Sequence, residues 1–414
     1  MTSDMLAQNA RWPKFDDKIF AAAKRASDAI NLYGKEKVID STLGALYDDD
    51  GNIVAFDSVY KCLENMDRSL IASYAPIEGT IEFQKNVIDV CFGKYKPQAY
   101  IRAVATPGGT GAVRHGIWSF TGEDDPVICH DWYWPSYELI CDEFKRNFVT
   151  YELFDEKYKF NIKAFEKTFR KELRKKDRLL AIFNTPANNP TGYSLSDDEW
   201  DRVLEIVLDE AKNKNKKITL LLDVAYMEYA GSGEQKKFFT KFQNLPDNIF
   251  ILIAFSMSKA YTAYGMRSGA AIGLSSNEDI VDDFYYSLSH ANRANWSNGN
   301  HSAMEILTKL NEDKDMEKSY LEDLNKYRAM LEGRARAFIE SSKEVGLEIL
   351  PYFGGFFISI PAENSEKISS LLEEKNIFII ANKNGLRFAV CAVSKDKCRK
   401  TPRIIKEVMD SIKK

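Results

Sequence analysis

From about residue 50 to residue 310, short apolar runs alternate with longer stretches of helical period. The runs are Ala103-Val104-Ala105, Pro126-Val127-Ile128-Cys129, Asn147-Phe148-Val149-Thr150-Tyr151, Leu179-Leu180-Ala181-Ile182-Phe183, Ile218-Thr219-Leu220-Leu221-Leu222 and Phe250-Ile251-Leu252-Ile253-Ala254. Strands that are apolar on both faces and separated by helices predict an α/β fold, with a mostly parallel sheet covered on both sides. Upstream, Phe15, Ile19, Ala22, Ala23 and Ala26 follow Pro13 at helical spacing, and Val38-Ile39-Asp40 begins a short extended stretch. Downstream, a long charged helix pattern runs from about Glu312 to Glu344. Extended segments Gly346-Leu347-Glu348-Ile349-Leu350, Gly355-Phe356-Phe357-Ile358-Ser359-Ile360, Phe378-Ile379-Ile380 and Leu386-Arg387-Phe388-Ala389-Val390 come next, then a final helix near Lys400 to Ile412. That tail reads as a small α+β domain. The expected organisation is an N-terminal arm over 1–14, a small domain from 15–48 and 315–414, and a large domain over 49–314.

Polar or glycine-bearing residues follow the ends of the central strands: Gly108-Gly109-Thr110, Trp134, Asn184 to Asn189, Asp223 to Tyr226 and Ser256 to Lys259. Open α/β sheets bind ligands at the carboxyl ends of their strands, so these groups are expected to converge on one site.

Charge narrows the class of ligand. With 57 basic and 61 acidic residues the net charge is −4, which gives no field to attract a polyanion, and nucleic acid is not an expected partner. The basic runs at Lys171, Lys175 and Lys176 and at Lys212, Lys214, Lys216 and Lys217 sit at helix ends, where a solvated surface is expected. No window of about 18 apolar residues suggests a membrane span. Six cysteines without a C-x-x-C pair point to free thiols in a reducing compartment, and four histidines lack metal-type spacing, so no metal is expected. Met1 to Pro13 carries Asp4 and Arg11 with no apolar stretch, which does not fit a secretory signal, and a cytoplasmic location is expected.

The most specific chemistry lies in Phe255-Ser256-Met257-Ser258-Lys259-Ala260-Tyr261-Thr262-Ala263-Tyr264-Gly265-Met266-Arg267-Ser268-Gly269. One amine follows an apolar strand, flanked by hydroxyls and trailed by an arginine. Lysine forms Schiff bases with carbonyl compounds, and pyridoxal phosphate couples such a carbonyl to a phosphate that needs Arg, Ser hydroxyls and backbone N–H groups. Burial would lower the pKa of the amine and make it nucleophilic. Gly108-Gly109-Thr110-Gly111 supplies small residues at a helix start, where backbone N–H groups can bind phosphate. A dinucleotide fingerprint is the rival there, but Arg114 stands where its last glycine would be.

Taken with Leu43-Gly44, Ser73-Tyr74-Ala75-Pro76-Ile77-Glu78-Gly79, Thr106-Pro107-Gly108-Gly109-Thr110-Gly111-Ala112, Tyr133-Trp134-Pro135, Asn189-Pro190-Thr191-Gly192, Asp223-Val224-Ala225-Tyr226, Arg293-Ala294-Asn295-Trp296-Ser297-Asn298 and Arg387, the chain resembles the fold-type-I pyridoxal-phosphate enzymes. The likeness is strongest to the aspartate and aromatic aminotransferases of class I and spans almost the whole chain. It implies a seven-stranded, mostly parallel sheet in the large domain and a homodimer with shared active sites.

The resemblance also assigns residues. Lys259 is the Schiff-base former and proton carrier, Asp223 the partner of the pyridine nitrogen, and Asn189 with Tyr226 the donors to the phenolic oxygen. Gly109, Thr110, Ser256, Ser258 and Arg267 make the phosphate cradle, Trp134 stacks on the ring, and Tyr74 reaches the phosphate of the neighbouring subunit. Arg387, with Gly44, Asn189 and Trp134 nearby, clamps the substrate α-carboxylate, and Arg293 reads a distal carboxylate across the subunit boundary. The implied reaction is ping-pong transfer of an amino group from aspartate, glutamate or an aromatic amino acid to a 2-oxo acid such as 2-oxoglutarate. A lyase or decarboxylase on the same scaffold is the alternative, since these chemistries diverge only after the Cα carbanion forms. Two departures stand out: Gly299-Asn300-His301 where the family usually has a proline pair, and Tyr137 where it usually has histidine.

Overall fold

The structure is a computed structural model that describes residues 5–7, 10–12, 17–231 and 234–412. Much of the expected N-terminal arm, and Phe15 at the start of the expected helix, lie outside the described residues. The helix itself runs Lys18–Tyr33, and Asp17 caps it by accepting hydrogen bonds from the Ile19 and Phe20 amides.

Eleven strands are present among the described residues: β1 (Ile39–Ser41), β2 (Tyr100–Thr106), β3 (Pro126–His130), β4 (Asn147–Tyr151), β5 (Arg178–Asn184), β6 (Lys217–Asp223), β7 (Ile249–Ser256), β8 (Gly269–Ser275), β9 (Phe357–Pro361), β10 (Ile377–Asn382) and β11 (Gly385–Ala389). Seven form a sheet in the order β2-β8-β7-β6-β5-β3-β4, and four form a second in the order β1-β10-β11-β9. In the large sheet β4, β3, β5, β6 and β7 run parallel, while β8 is antiparallel to both its neighbours.

Successive residues of each parallel strand feed opposite faces. Leu180 and Ile182 join one core with Val113 and Ile117 of the helix Gly108–Phe120, while Leu179, Ala181 and Phe183 join the other with Phe165, Trp200 and Val203. That second core continues without a break into Ile358, Ile360, Leu386 and Phe388 of the small sheet. Near-continuous apolar runs are what such double coverage demands.

Three elements differ from expectation. Strand β8 reads Gly-Ala-Ala-Ile-Gly-Leu-Ser, a composition of low strand propensity, and the pattern of large apolar residues passes over it. Its smallness is steric: a Cβ on Gly273 would lie 2.6 Å from the Phe250 ring and 2.7 Å from Phe284, and one on Gly269 would lie 2.3 Å from the Phe255 carbonyl oxygen. The stretch Gly346 to Leu350 is not a strand. Gly346 caps the helix Lys314–Val345 in the left-handed region at φ 66°, and Leu347 and Leu350 are buried as anchors of an irregular segment. That long helix begins at Lys314 because Asp313 caps it, and a separate helix, His301–Glu312, precedes it.

Candidate active site

Register brings the carboxyl ends of the central strands together, with Asn184 of β5 opposite Asp223 of β6, and Asp223 opposite Ala254 of β7. Lys259 follows β7 in a single helical turn, Met257–Ala260, whose start is capped by Ser256 accepting from the Ser258 amide at 3.2 Å. The amine lies 4.8 Å from the centre of the Tyr264 ring and 5.8 Å from that of Tyr226. Among the described residues no carboxylate pairs with it. Burial, assisted by the Arg267 and Arg387 cations, lowers the pKa of the Lys259 amine to about 8 against opposition from Asp223.

Asp223 is buried at the end of β6. Its Oδ2 accepts from the Tyr137 hydroxyl at 2.6 Å and its Oδ1 from the Ala225 amide at 3.1 Å. Burial pushes the carboxyl pKa up, while these two bonds and the Lys259 charge pull it back. Asn184 ties the neighbouring loop down: its side chain donates to the Asp223 carbonyl at 3.0 Å and accepts from the Asn189 amide at 2.7 Å. Burial raises the pKa of the Tyr226 hydroxyl, and the neighbouring Arg387 cation and Asn189 side chain pull it back.

An anion cradle lies at the start of the helix Gly108–Phe120. No side chain caps that start, so its leading N–H groups are free to serve a ligand. A Cβ on Gly108 would sit 2.8 Å from an Arg267 guanidinium nitrogen, and one on Gly109 would sit 3.2 Å from Ser256 Cβ. Arg267 donates to Ser258 Oγ at 3.1 Å and to the Tyr264 carbonyl at 2.9 Å. Its own backbone is left-handed at φ 49°, which turns the side chain back over Gly108. Backbone amides, hydroxyls and a guanidinium fork thus meet in one place, with Thr110 half-buried on the same first turn.

At the small-sheet side Arg387 is 4% exposed, donates to the Thr42 carbonyl, and stacks with its guanidinium 4.4 Å over the Phe357 ring. Burial lowers its pKa to about 10, its Nε has no partner, and among the described residues no carboxylate pairs with it. Gly44 stands beside it: a Cβ there would meet the Phe357 ring at 2.7 Å and the Tyr226 hydroxyl at 3.6 Å.

Of the three adjacent aromatics, Trp132 is core and Tyr133 packs edge-on against Phe148. Trp134 is half-buried and edge-on to Tyr137 at 5.4 Å. Tyr74, 88% exposed, and Arg293, also exposed and bonded to Ser297 Oγ at 2.7 Å, make no hydrogen bond or ring contact with the Lys259 cluster. Sequence reasoning gave no role to Tyr264, which faces the amine and accepts from the Leu46 amide at 2.9 Å, or to Phe357 under Arg387. Nor did it find what Tyr137 touches; the carboxylate lies 86 positions away along the chain.

These residues fit pyridoxal phosphate on their own chemistry: a half-buried amine without an ion-pair partner among the described residues, an uncapped helix start faced by an arginine, and a buried carboxylate at the end of the neighbouring strand. The chain belongs to the family described as aminotransferase class I and II, whose sequence profile matches residues 36–404. It is a fold-type-I aminotransferase dependent on pyridoxal 5′-phosphate.

Among solved structures it is similar to an aminotransferase from Anaerococcus prevotii, with 49% identity, a TM-score of 0.97, and coverage of 99% of this chain and 100% of that one. The aromatic-amino-acid aminotransferase of Burkholderia pseudomallei, described as covalently bound to pyridoxal phosphate, shares the fold at a TM-score of 0.80 and 20% identity, covering 98% of this chain and 100% of that one. The aspartate aminotransferase of Salmonella typhi is 24% identical over 360 residues, which are 83% of this chain and 87% of that protein. No helix among the described residues is long and apolar enough to cross a membrane.

Proposed function

We propose that the chain moves the amino group of aspartate or glutamate, or of an aromatic amino acid, to a 2-oxo acid such as 2-oxoglutarate in a ping-pong cycle. The observation that carries this reading is Arg387, a buried cation without a carboxylate partner among the described residues, in a site that also holds Lys259 and Tyr226. An α-carboxylate supplies the missing charge, and a bidentate pair with the guanidinium fixes the amino group for attack.

Bound pyridoxal phosphate supplies an electron sink for the charge left at the substrate Cα. Asp223 would keep the pyridine nitrogen protonated, and Asn189 and Tyr226 would donate to the phenolic oxygen. Gly109, Thr110, Ser256, Ser258 and Arg267 would hold the phosphate, and Trp134 would cover the ring. Lys259 Nζ would hold the cofactor at rest and, once free, would take the proton from Cα and return it.

At pH 7 a pKa near 8 leaves roughly a tenth of this amine neutral, on the order of 300-fold more than an ordinary lysine. The neutral form is the nucleophile, so the rate falls as pH drops below 8. Apoprotein is therefore expected to recombine with pyridoxal phosphate at a rate that climbs with pH and levels off above about 8. A rate still climbing tenfold per unit well above that value would contradict the assignment of the amine.

Tyr74 and Arg293, exposed in a single chain, are proposed to complete the site of a second copy in a homodimer. The domain limits at 15–48, 49–314 and 315–414 are kept as a proposal supported by the two separate sheets. The cytoplasm is the proposed location, supported by six buried, unpaired cysteines.

A substrate screen of wild type and Arg293→Ala tests the preference. If Arg293 reads a distal carboxylate, transfer from aspartate and glutamate should fall by the equivalent of about 2–5 kcal/mol while aromatic donors are nearly spared. Equal losses across all donors would assign Arg293 a structural role instead.

A further inference from the structure

We infer that Tyr137 is a positioning residue that holds Asp223 ionised and aimed at the cofactor, and thereby sets how firmly this chain retains pyridoxal phosphate. The inference rests on the role proposed above for Asp223.

Tyr137 lies in the first turn of the helix Ser136–Glu143 and is fully buried. Its hydroxyl donates to Asp223 Oδ2 at 2.6 Å, and its ring stands nearly perpendicular to that of Trp134, at 88°. With the Ala225 amide on Oδ1, each carboxylate oxygen already has one donor, so the direction of the remaining lone pairs is fixed. Among the described residues the titratable groups that act on this carboxylate are Tyr137, Tyr226, Lys259 and Cys129, and of these Lys259 is the cation.

Burial works against the charge of Asp223, and a donor to the ionised form works for it. The phenol suits that task because its own pKa is pushed well above the ordinary value by burial and by Asp223, so it stays neutral and protonated as pH changes. An imidazole, the residue usual at this position in the family, can also donate but can gain or lose charge near neutral pH. Without either donor the carboxyl takes a proton more readily, the pyridine nitrogen loses its counter-charge, and the cofactor is held less firmly.

The test compares Tyr137→Phe, Tyr137→His and Asp223→Asn as holoenzymes, following cofactor release after dilution by the visible absorbance and the pH titration of that absorbance. Tyr137→Phe is expected to release the cofactor roughly tenfold faster or more, with a shifted titration and a melting temperature of the apoprotein close to wild type. Tyr137→His is expected to restore retention near neutral pH. Retention within twofold of wild type in Tyr137→Phe, with or without a fall in melting temperature, would overturn the inference. Should that variant not fold, Tyr137→His decides: wild-type-like retention supports the role, and release as fast as from Asp223→Asn overturns it. Asp223→Asn separates the two layers. If it keeps the cofactor as wild type does, the role given to Asp223 itself fails, whereas loss there with none in Tyr137→Phe removes only the role given to Tyr137.

Discussion

Lys259→Ala is expected to lower amino-group transfer by on the order of 10⁴-fold or more, since it removes the amine proposed both to hold the cofactor and to carry the Cα proton. The fold should survive. The lysine begins the second half of a one-turn helix whose cap is made by Ser256, and its amine lies near the Tyr226 and Tyr264 rings and supports no ion pair among the described residues. Removing a desolvated cation also removes a cost of folding, so the melting temperature of the apoprotein should hold or rise. Steady-state transfer assays with excess cofactor, beside thermal melts of the apoprotein, check both halves. Substantial turnover by the variant would overturn the role.

Arg387→Met is expected to cost about 2–5 kcal/mol in kcat/KM toward every amino acid, roughly 30- to 4000-fold, because the α-carboxylate common to all of them loses its proposed partner. This contrasts with Arg293, whose replacement should discriminate among side chains. In the free protein the sign reverses. Arg387 is buried with its Nε unpaired and its pKa lowered to about 10, so an apolar side chain of similar reach should leave the apoprotein as stable or more so. Substrate kinetics across acidic and aromatic donors, paired with a melt, separate a recognition role from a structural one. A uniform loss of stability with unchanged KM would point to the latter.

Much of the sheet was legible because burial on both faces leaves runs such as Leu179 to Phe183 with no polar interruption, and because polar residues return where such strands end. Asp223 and Ser256 could be placed at a site from those endings alone. Strand β8 could not, since its place between β2 and β7, close to Phe250, Phe255 and Phe284, demands small residues that resemble a loop. The cradle was half legible. Gly108-Gly109 and the hydroxyls of Ser256 and Ser258 stand out locally, but that Arg267 folds back over Gly108 depends on a left-handed backbone turn no spacing reveals.

Tyr137 marks the other limit. Read alone it departs from a familiar pattern, and only the folded chain, which brings the start of its helix to the end of β6, shows the phenol meeting the carboxylate. Tyr74 and Arg293 were named from motifs, yet their exposure in one chain means that a second copy has to be present before their proposed work can be seen.

The most direct measurement fixes the cofactor to its lysine by borohydride reduction of the holoenzyme and maps the labelled peptide by mass spectrometry. One pyridoxyl group per chain, on Lys259 and absent from Lys259→Ala, is the expected result. A label on any other lysine, or a holoenzyme that takes none, would contradict the assignment on which the rest of the site depends.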